Sequence, residues 1–93
     1  MSSGGSGESQ RVDKFLWFSR LTKTRGEAQA LAESRRLRID GRVVSRPSAL
    51  VRPGSVLAFT RFGKVRIVRV DILPTRRGSA TDSQLLYSDL TQD

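Results

Sequence analysis

From Val12 to Leu21 the apolar positions recur at helical spacing: Val12, Leu16 and Ser19 share one stripe, and Phe15, Phe18 and Leu21 or Thr22 a second. Asp13 falls in the first turn of this helix, where a negative side chain favours the positive end of the helix dipole. A second helix is announced by Thr24-Arg-Gly-Glu27, which fits a capping box: the Thr24 hydroxyl and the Glu27 carboxylate each satisfy a backbone N–H that the helix start leaves open. Ala28, Leu31 and Ala32 then form its buried face, and it ends near Ser34 or Arg35. Only Thr22-Lys23 remains between the two helices, so they must pack as a helical corner.

At Leu37 the period switches to that of strands. In Leu37-Arg-Ile-Asp-Gly-Arg-Val-Val44, the pair Asp40-Gly41 is a two-residue hairpin turn, since both residues tolerate positive φ. Closing it there sets Leu37 opposite Val44 on one face and Arg38 opposite Val43 on the other. Arg46-Pro47-Ser48 breaks the strand and Arg52-Pro53-Gly54 makes a further turn. Val56–Thr60 and Lys64–Ile72 are predicted as two more strands joined at Phe62-Gly63. Leu73 to Gly78 is predicted as loop, and Asp82–Leu90 as a short C-terminal helix docking through Leu85, Leu86 and Leu90. The fold class is therefore α+β, with two packed N-terminal helices followed by a small antiparallel sheet. Residues 1–10 form a flexible Ser/Gly-rich lead, residues 11–72 the folded domain, and residues 73–93 the C-terminal loop and helix.

Charge changes this picture most. All 17 Lys and Arg lie between Arg11 and Arg77 with only Asp13, Glu27, Glu33, Asp40 and Asp71 against them, a local surplus of twelve positive charges; the whole chain carries +8. Charge of this density on a small folded unit repels itself unless a polyanion neutralises it, and nucleic acid is the leading candidate. A chain of 93 residues buries roughly 60% of its unfolded surface, enough for one thin core and no deep catalytic cavity. It has no Cys and no His, which removes disulfides, thiolate and imidazole metal ligands, and the usual nucleophile–base pairs. Ser48 and Tyr87 have no base nearby in sequence, and no Gly-rich nucleotide loop is present. No catalytic residue, metal ligand or cofactor is expected. No apolar run reaches the ~18 residues of a membrane span, and residues 1–7 lack the basic start and apolar stretch of a signal peptide. The expectation is a cytoplasmic protein with no membrane partner, a monomer when free.

The cations concentrate at the helical corner and the first hairpin: Arg11, Lys14, Arg20, Lys23, Arg25, Arg35, Arg36, Arg38, Arg42, Arg46 and Arg52. Lys23, Thr24 and Arg25 surround the start of the second helix, where open N–H groups and the dipole favour a phosphate. Arg suits this task because its planar fork matches phosphate oxygens and stacks on unpaired bases. Arg25 and Arg38 read as surface cations whose loss leaves stability nearly unchanged. Phe15, Trp17 and Phe18 cannot all face one small core from a single short helix. The favoured reading has Trp17 covering the core edge or docking the C-terminal segment; the other makes it a stacking platform for a base. Phe62, at a turn, carries the same two readings.

Together, Arg11-Val-Asp-Lys-Phe-Leu16, Lys23-Thr-Arg25, Ala28, Ala32, Leu37-Arg-Ile-Asp-Gly41, Val44, Pro47-Ser48, Val51 and Gly54 resemble the RNA-binding module of small-subunit ribosomal protein four, found also in some pseudouridine synthases and in tyrosyl-tRNA synthetase. The match spans about residues 11–60. The opening Lys14-Phe-Leu-Trp-Phe-Ser-Arg20 and the stretch from Arg76-Arg77 to Leu85-Leu-Tyr87 extend it toward the ribosome-associated heat-shock protein fifteen family. The resemblance implies an alpha-L RNA-binding motif, with helical corner and hairpin as the RNA face. By position it implies RNA contacts from Lys14, Arg20, Lys23, Thr24, Arg25, Arg38, Arg46 and Ser48. With the charge cluster, the candidate RNA-binding set is Arg11, Lys14, Arg20, Lys23, Thr24, Arg25, Arg35, Arg36, Arg38, Arg46, Ser48 and Arg52. Arg35 stands where the module usually has Gly, so the second helix is expected to be capped differently. Ser55 stands in place of a usual Asp, and where long members carry a basic tail this chain reaches Asp93 on an acidic, polar segment.

The function so read is non-catalytic binding of structured RNA. The resemblance implies ribosomal RNA of the large subunit, with tRNA held on it, in rescue or recycling of stalled ribosomes and a place in the heat-shock response. The competing readings are a DNA-binding module, since two short helices across a tight turn suit a major groove, and an accessory domain that delivers RNA to a separate modifying enzyme.

Overall fold

The computed structural model describes residues 8–91; most of the Ser/Gly-rich lead, residues 1–7, lies outside the described residues. The chain runs β1 (Gln10–Arg11), α1 (Val12–Phe18), α2 (Arg25–Glu33), β2 (Leu37–Ile39), β3 (Arg42–Val43), β4 (Leu50–Val51), β5 (Val56–Arg61), β6 (Lys64–Val70), α3 (Ala80–Ser83) and β7 (Tyr87–Asp89). The strands form a two-stranded ribbon, β1–β4, and a five-stranded antiparallel sheet in the order β3-β2-β5-β6-β7. The expected α+β class is the observed one.

The core lies between the helical corner and one face of the large sheet. Val12, Phe15, Leu16 and Leu21 from the first helical segment meet Ala28 and Ala32 of α2, with Leu37, Val44, Val51, Leu57, Phe59, Val68 and Val70 from the strands. The two alanines let α2 approach α1 closely, and along β5 burial alternates at Leu57 and Phe59, as a one-faced strand requires.

The second helix begins as its sequence dictates, and both helices end in the same unusual way. The Thr24 hydroxyl accepts from the Glu27 N–H at 3.0 Å, and the Glu27 carboxylate accepts from the Thr24 N–H at 3.3 Å and the Lys23 N–H at 2.8 Å, completing the capping box. At the start of α1, the Val12 and Asp13 N–H groups donate to the carbonyls of Ala49 and Pro47, so a later loop caps this helix. Beyond the helix ends stand Arg20, at φ 61°, and Arg35, at φ 64°, both in the left-handed region. Arg35 takes the glycine-type backbone geometry and carries its strain, while the hydrogen bonds of the cap differ as expected: the Ser34 hydroxyl accepts from the Arg36 N–H at 3.2 Å and donates to the Leu31 carbonyl at 2.8 Å.

The first hairpin has the anticipated register, Arg38 opposite Val43 and Ile39 opposite Arg42, around Asp40 at φ 51° and Gly41 at φ 84°. The Asp40 carboxylate also accepts from the Val56 N–H at 2.9 Å, tying the turn to β5. Arg52-Pro53-Gly54-Ser55 closes with the Ser55 N–H on the Arg52 carbonyl and Gly54 at φ 95°, a type II turn. The buried Ser55 hydroxyl accepts from the Arg52 N–H at 3.1 Å, a bond that a carboxylate there could equally make.

Three expectations are corrected. Gln10, placed in the lead, belongs to β1 and pairs with Val51. The strand from Lys64 stops at Val70 rather than Ile72. The helix expected over Asp82–Leu90 is a single turn, Ala80–Ser83, followed by β7 on the free edge of β6. Leaving that edge unpaired would expose a row of backbone donors and acceptors. Its polar side chains also find partners in the strand: the Ser88 hydroxyl donates to Asp71 at 2.6 Å and Arg66 pairs with Asp89 at 3.0 Å. Leu86 packs against the core while Leu85 stays 69% exposed, so the expected three-leucine docking face does not form. Through β7 the segment after residue 72 is tied to the same sheet.

Candidate nucleic-acid interface

A buried carboxylate organises the corner. Asp13 has no solvent exposure, and its oxygens receive Arg11 at 3.1 and 3.2 Å, Arg25 through two nitrogens at 3.3 Å, and the Lys14 N–H at 2.8 Å. Burial pushes the Asp13 carboxyl up, but the Arg11 hydrogen bonds, the Arg25 charge and the Lys14 N–H outweigh it and hold the group below the ordinary carboxylate value. Two guanidiniums are thus fixed over one negative charge, and both remain partly exposed, Arg11 by 46% and Arg25 by 35% of their side chains. A fork held on one side still presents its outer N–H donors to a phosphate, with little rotamer freedom left to lose. Arg25 accordingly departs from the expectation of a purely superficial cation.

The loop that caps α1 extends this surface. Pro47 and Ala49 supply the capping carbonyls, and Ser48 between them is exposed at the α1 start. Beside it, Arg42, Arg46 and Arg52 line an open groove of about 640 Å³ with Ile39, Val43, Val44 and Leu50. Across the β1–β4 ribbon Leu50 is paired with Arg11, which joins the groove to the Asp13 centre. The side chains of Lys14, Arg46 and Arg52 make no hydrogen bond or ion pair among the described residues.

The remaining candidates separate from this centre. Arg35, Arg36 and Arg38 line a second groove, of about 380 Å³, with Ala58, Phe59, Thr60 and Val65 on the sheet. Lys23 and Thr24 are exposed at the start of α2, but the expected phosphate seat there is partly filled: the Glu27 carboxylate already accepts from the Lys23 and Thr24 N–H groups. Arg20 donates to the Gly78 carbonyl at 2.7 Å, tying the C-terminal loop to the corner. Arg77 completes that tie, donating to the Trp17 and Lys23 carbonyls at 3.2 and 3.4 Å with its guanidinium 5.7 Å from the Trp17 ring centre. Trp17 thus docks the C-terminal segment, the favoured of its two readings. Arg42, in the basic cluster but outside the candidate set, belongs with Arg46 and Arg52; its place opposite Ile39 was visible in the hairpin register. Among the described residues no group of three or more Asp or Glu side chains could hold a metal ion.

The S4 domain family model matches residues 10–57, which contain the Asp13 centre and both basic grooves except for Ala58 to Val65 on the sheet. The chain is similar to heat shock protein 15 of Escherichia coli strain K12, 30% identical over 82 residues covering 88% of this chain and 61% of that protein. The homologous protein of Haemophilus influenzae is 30% identical over 79 residues, 85% of this chain and 60% of its own length. Small ribosomal subunit protein uS4 of Azobacteroides pseudotrichonymphae is 35% identical over 63 residues, 68% of this chain and 32% of that protein. The chain therefore spans about three fifths of the heat shock protein 15 relatives it matches. Among solved structures, trimeric heat shock protein 15 of Vibrio cholerae superposes with a TM-score of 0.81 at 27% identity, covering 88% of this chain and 82% of that one.

Proposed function

This chain belongs to the S4 domain family, and on that premise we propose that it is a non-catalytic RNA-binding protein acting at the ribosome. The observation that carries the reading is the guanidinium pair held on Asp13, next to a groove whose Arg46 and Arg52 side chains have no hydrogen-bond or ion-pair partner among the described residues. Phosphate contacts from this surface supply affinity, and the shape of corner and hairpin selects structured RNA over a random coil. Relatives named as a small ribosomal subunit protein and as heat shock proteins support the ribosome as the location of that RNA. The finer reading is ribosomal RNA of the large subunit, in rescue or recycling of stalled ribosomes and within the heat-shock response.

The cytoplasm is the proposed location; among the described residues no helix is long and apolar enough to cross a membrane. The free chain is proposed to be a monomer, because its charge of +8 opposes self-association. The relative solved as a trimer makes its mass in solution a direct check. The test of function is the position of the protein in a ribosome sedimentation profile, with crosslinked RNA sequenced. Crosslinks in large-subunit RNA are expected. Co-sedimentation with one modifying enzyme and no subunit would favour an accessory domain, and tighter binding to duplex DNA than to structured RNA at equal salt would favour a DNA reader.

A further inference from the structure

The β5–β6 turn carries a side chain that its backbone does not favour. Phe62 sits at φ 52° and Gly63 at φ 76°, positions at which Asn-Gly or Asp-Gly would relax the turn, as Asp40-Gly41 does in the first hairpin. A bulky residue in the left-handed region is an outlier that the rest of the structure must hold in place. Phe62 is also 84% exposed, so it gains little from burial. Folding alone therefore gives no reason for Phe at this position.

Its surroundings supply one. The Arg61 guanidinium lies 4.6 Å from the Phe62 ring centre and is itself fixed, donating to the Leu21 carbonyl and pairing with Glu27 at 3.4 Å. Arg61 thus braces the ring from one side, and the high exposure leaves the rest of the ring to solvent. Lys64, with no ion pair among the described residues, and Arg66, paired with Asp89, border one side of the turn. Arg36 borders the other, in a groove of about 440 Å³ between α2 and the hairpin. A rigid aromatic ring with cations on both flanks is the arrangement that stacks an unpaired base while its phosphates meet the cations. A protein partner would be served as well by Leu or Ile here, neither of which uses the guanidinium brace.

We propose that Phe62, braced by Arg61, is a stacking platform for an unpaired RNA base, a second contact outside the 10–57 segment that the S4 domain matches. The inference rests on the RNA-binding reading and adds that the RNA has a single-stranded nucleotide beside its structured part. Two probes separate the ideas: a blunt RNA duplex, and the same duplex with a short oligoadenylate overhang. The parent protein binds the overhang duplex about tenfold more tightly, the weight of one stacked base. Phe62→Leu, which keeps the apolar bulk, and Phe62→Asn, which suits the turn, each remove that preference and leave blunt-duplex affinity unchanged. Phe62→Tyr keeps it, and Phe62→Asn melts no lower than the parent. Equal parental affinity for the two duplexes, or a preference that survives both Leu and Asn, overturns the platform while the RNA-binding reading stands. Failure of the parent to bind either duplex overturns both.

Discussion

Arg25, the first residue of α2, holds the fully buried Asp13 carboxylate of α1 through Nε and a terminal nitrogen, both at 3.3 Å. One ion pair therefore joins the two helices of the corner and aims a cation outward. Position and charge in this protein are coupled: the residue that presents a guanidinium to solvent also neutralises a carboxylate in the core.

Arg25→Ala is therefore expected to cost about 1–2 kcal/mol, more than an ordinary surface change, because Asp13 loses one charged partner and keeps Arg11. Arg38→Ala, whose side chain has no hydrogen-bond partner among the described residues, should stay within about half a kcal/mol. Chemical denaturation of both variants measures the difference. Equal stabilities would mean that Arg11 and the Lys14 N–H satisfy Asp13 by themselves.

Acid should expose the same centre. Asp13 is held below its ordinary value of 3.8 by its two arginines and the Lys14 N–H, which together outweigh its burial. Asp71 is lowered by Ser88 and Arg69, and Asp89 chiefly by Thr91, with help from Arg66. A carboxylate with a depressed folded-state pKa contributes stability that is fully present above the unfolded value and lost as pH falls through the folded one. Stability should therefore be flat above about pH 5 and decline below about pH 4. In Asp13→Asn the neutral-pH stability is lower and the acid decline shallower. A melting series across this range gives both slopes, and an unchanged acid limb would remove Asp13 from the account.

Arg35 offers a gain in stability. Its φ of 64° at the end of α2 is a conformation glycine adopts without the penalty of a Cβ. Arg35→Gly should stabilise the fold by about 0.5–1 kcal/mol, raising Tm by a few degrees in a chain of this size, the extra freedom of glycine in the unfolded chain offsetting part of the gain. The same change should weaken RNA binding slightly by removing one cation from the groove of Arg36 and Arg38. A lower Tm would mean that the Arg35 side chain makes a stabilising contact that offsets its strain.

These residues also show how far the sequence could be read. The capping box, the Asp40-Gly41 turn and the Arg38–Val43 register were legible because each is local: a few side chains and one turn geometry decide it. Asp13 was legible only as a helix-start acid. That Arg25 reaches it depends on the angle between two helices, which no spacing along the chain encodes. The C-terminal strand was missed for a similar reason, since Tyr87–Asp89 takes its conformation from the open edge of β6 rather than from its own residues. The basic set was visible by composition. Its division into an Asp13-anchored centre, a groove at Arg42, Arg46 and Arg52, and a separate groove at Arg35, Arg36 and Arg38 is a product of the tertiary fold.

That division leads to a quantitative test of the RNA surface. The side chains of Lys14, Arg46 and Arg52 are free of internal bonds among the described residues, so they can be neutralised without the structural cost attached to Arg11 or Arg25. The variant Lys14→Gln, Arg46→Gln, Arg52→Gln should keep the parental Tm within a few degrees. If each contacts one phosphate, the log–log dependence of affinity on salt should flatten by about 0.7 to 0.9 per contact, hence by about 2–3 in all. Affinity should fall for every structured RNA alike, because phosphate contacts position the protein without reading sequence. Titration of one RNA at several salt concentrations, for parent and variant, measures this slope directly. A lower affinity with an unchanged slope would mean that these residues act by shape rather than by charge. An unchanged affinity would move the phosphate contacts away from the loop that caps α1, and the groove beside Asp13 would no longer be the RNA surface.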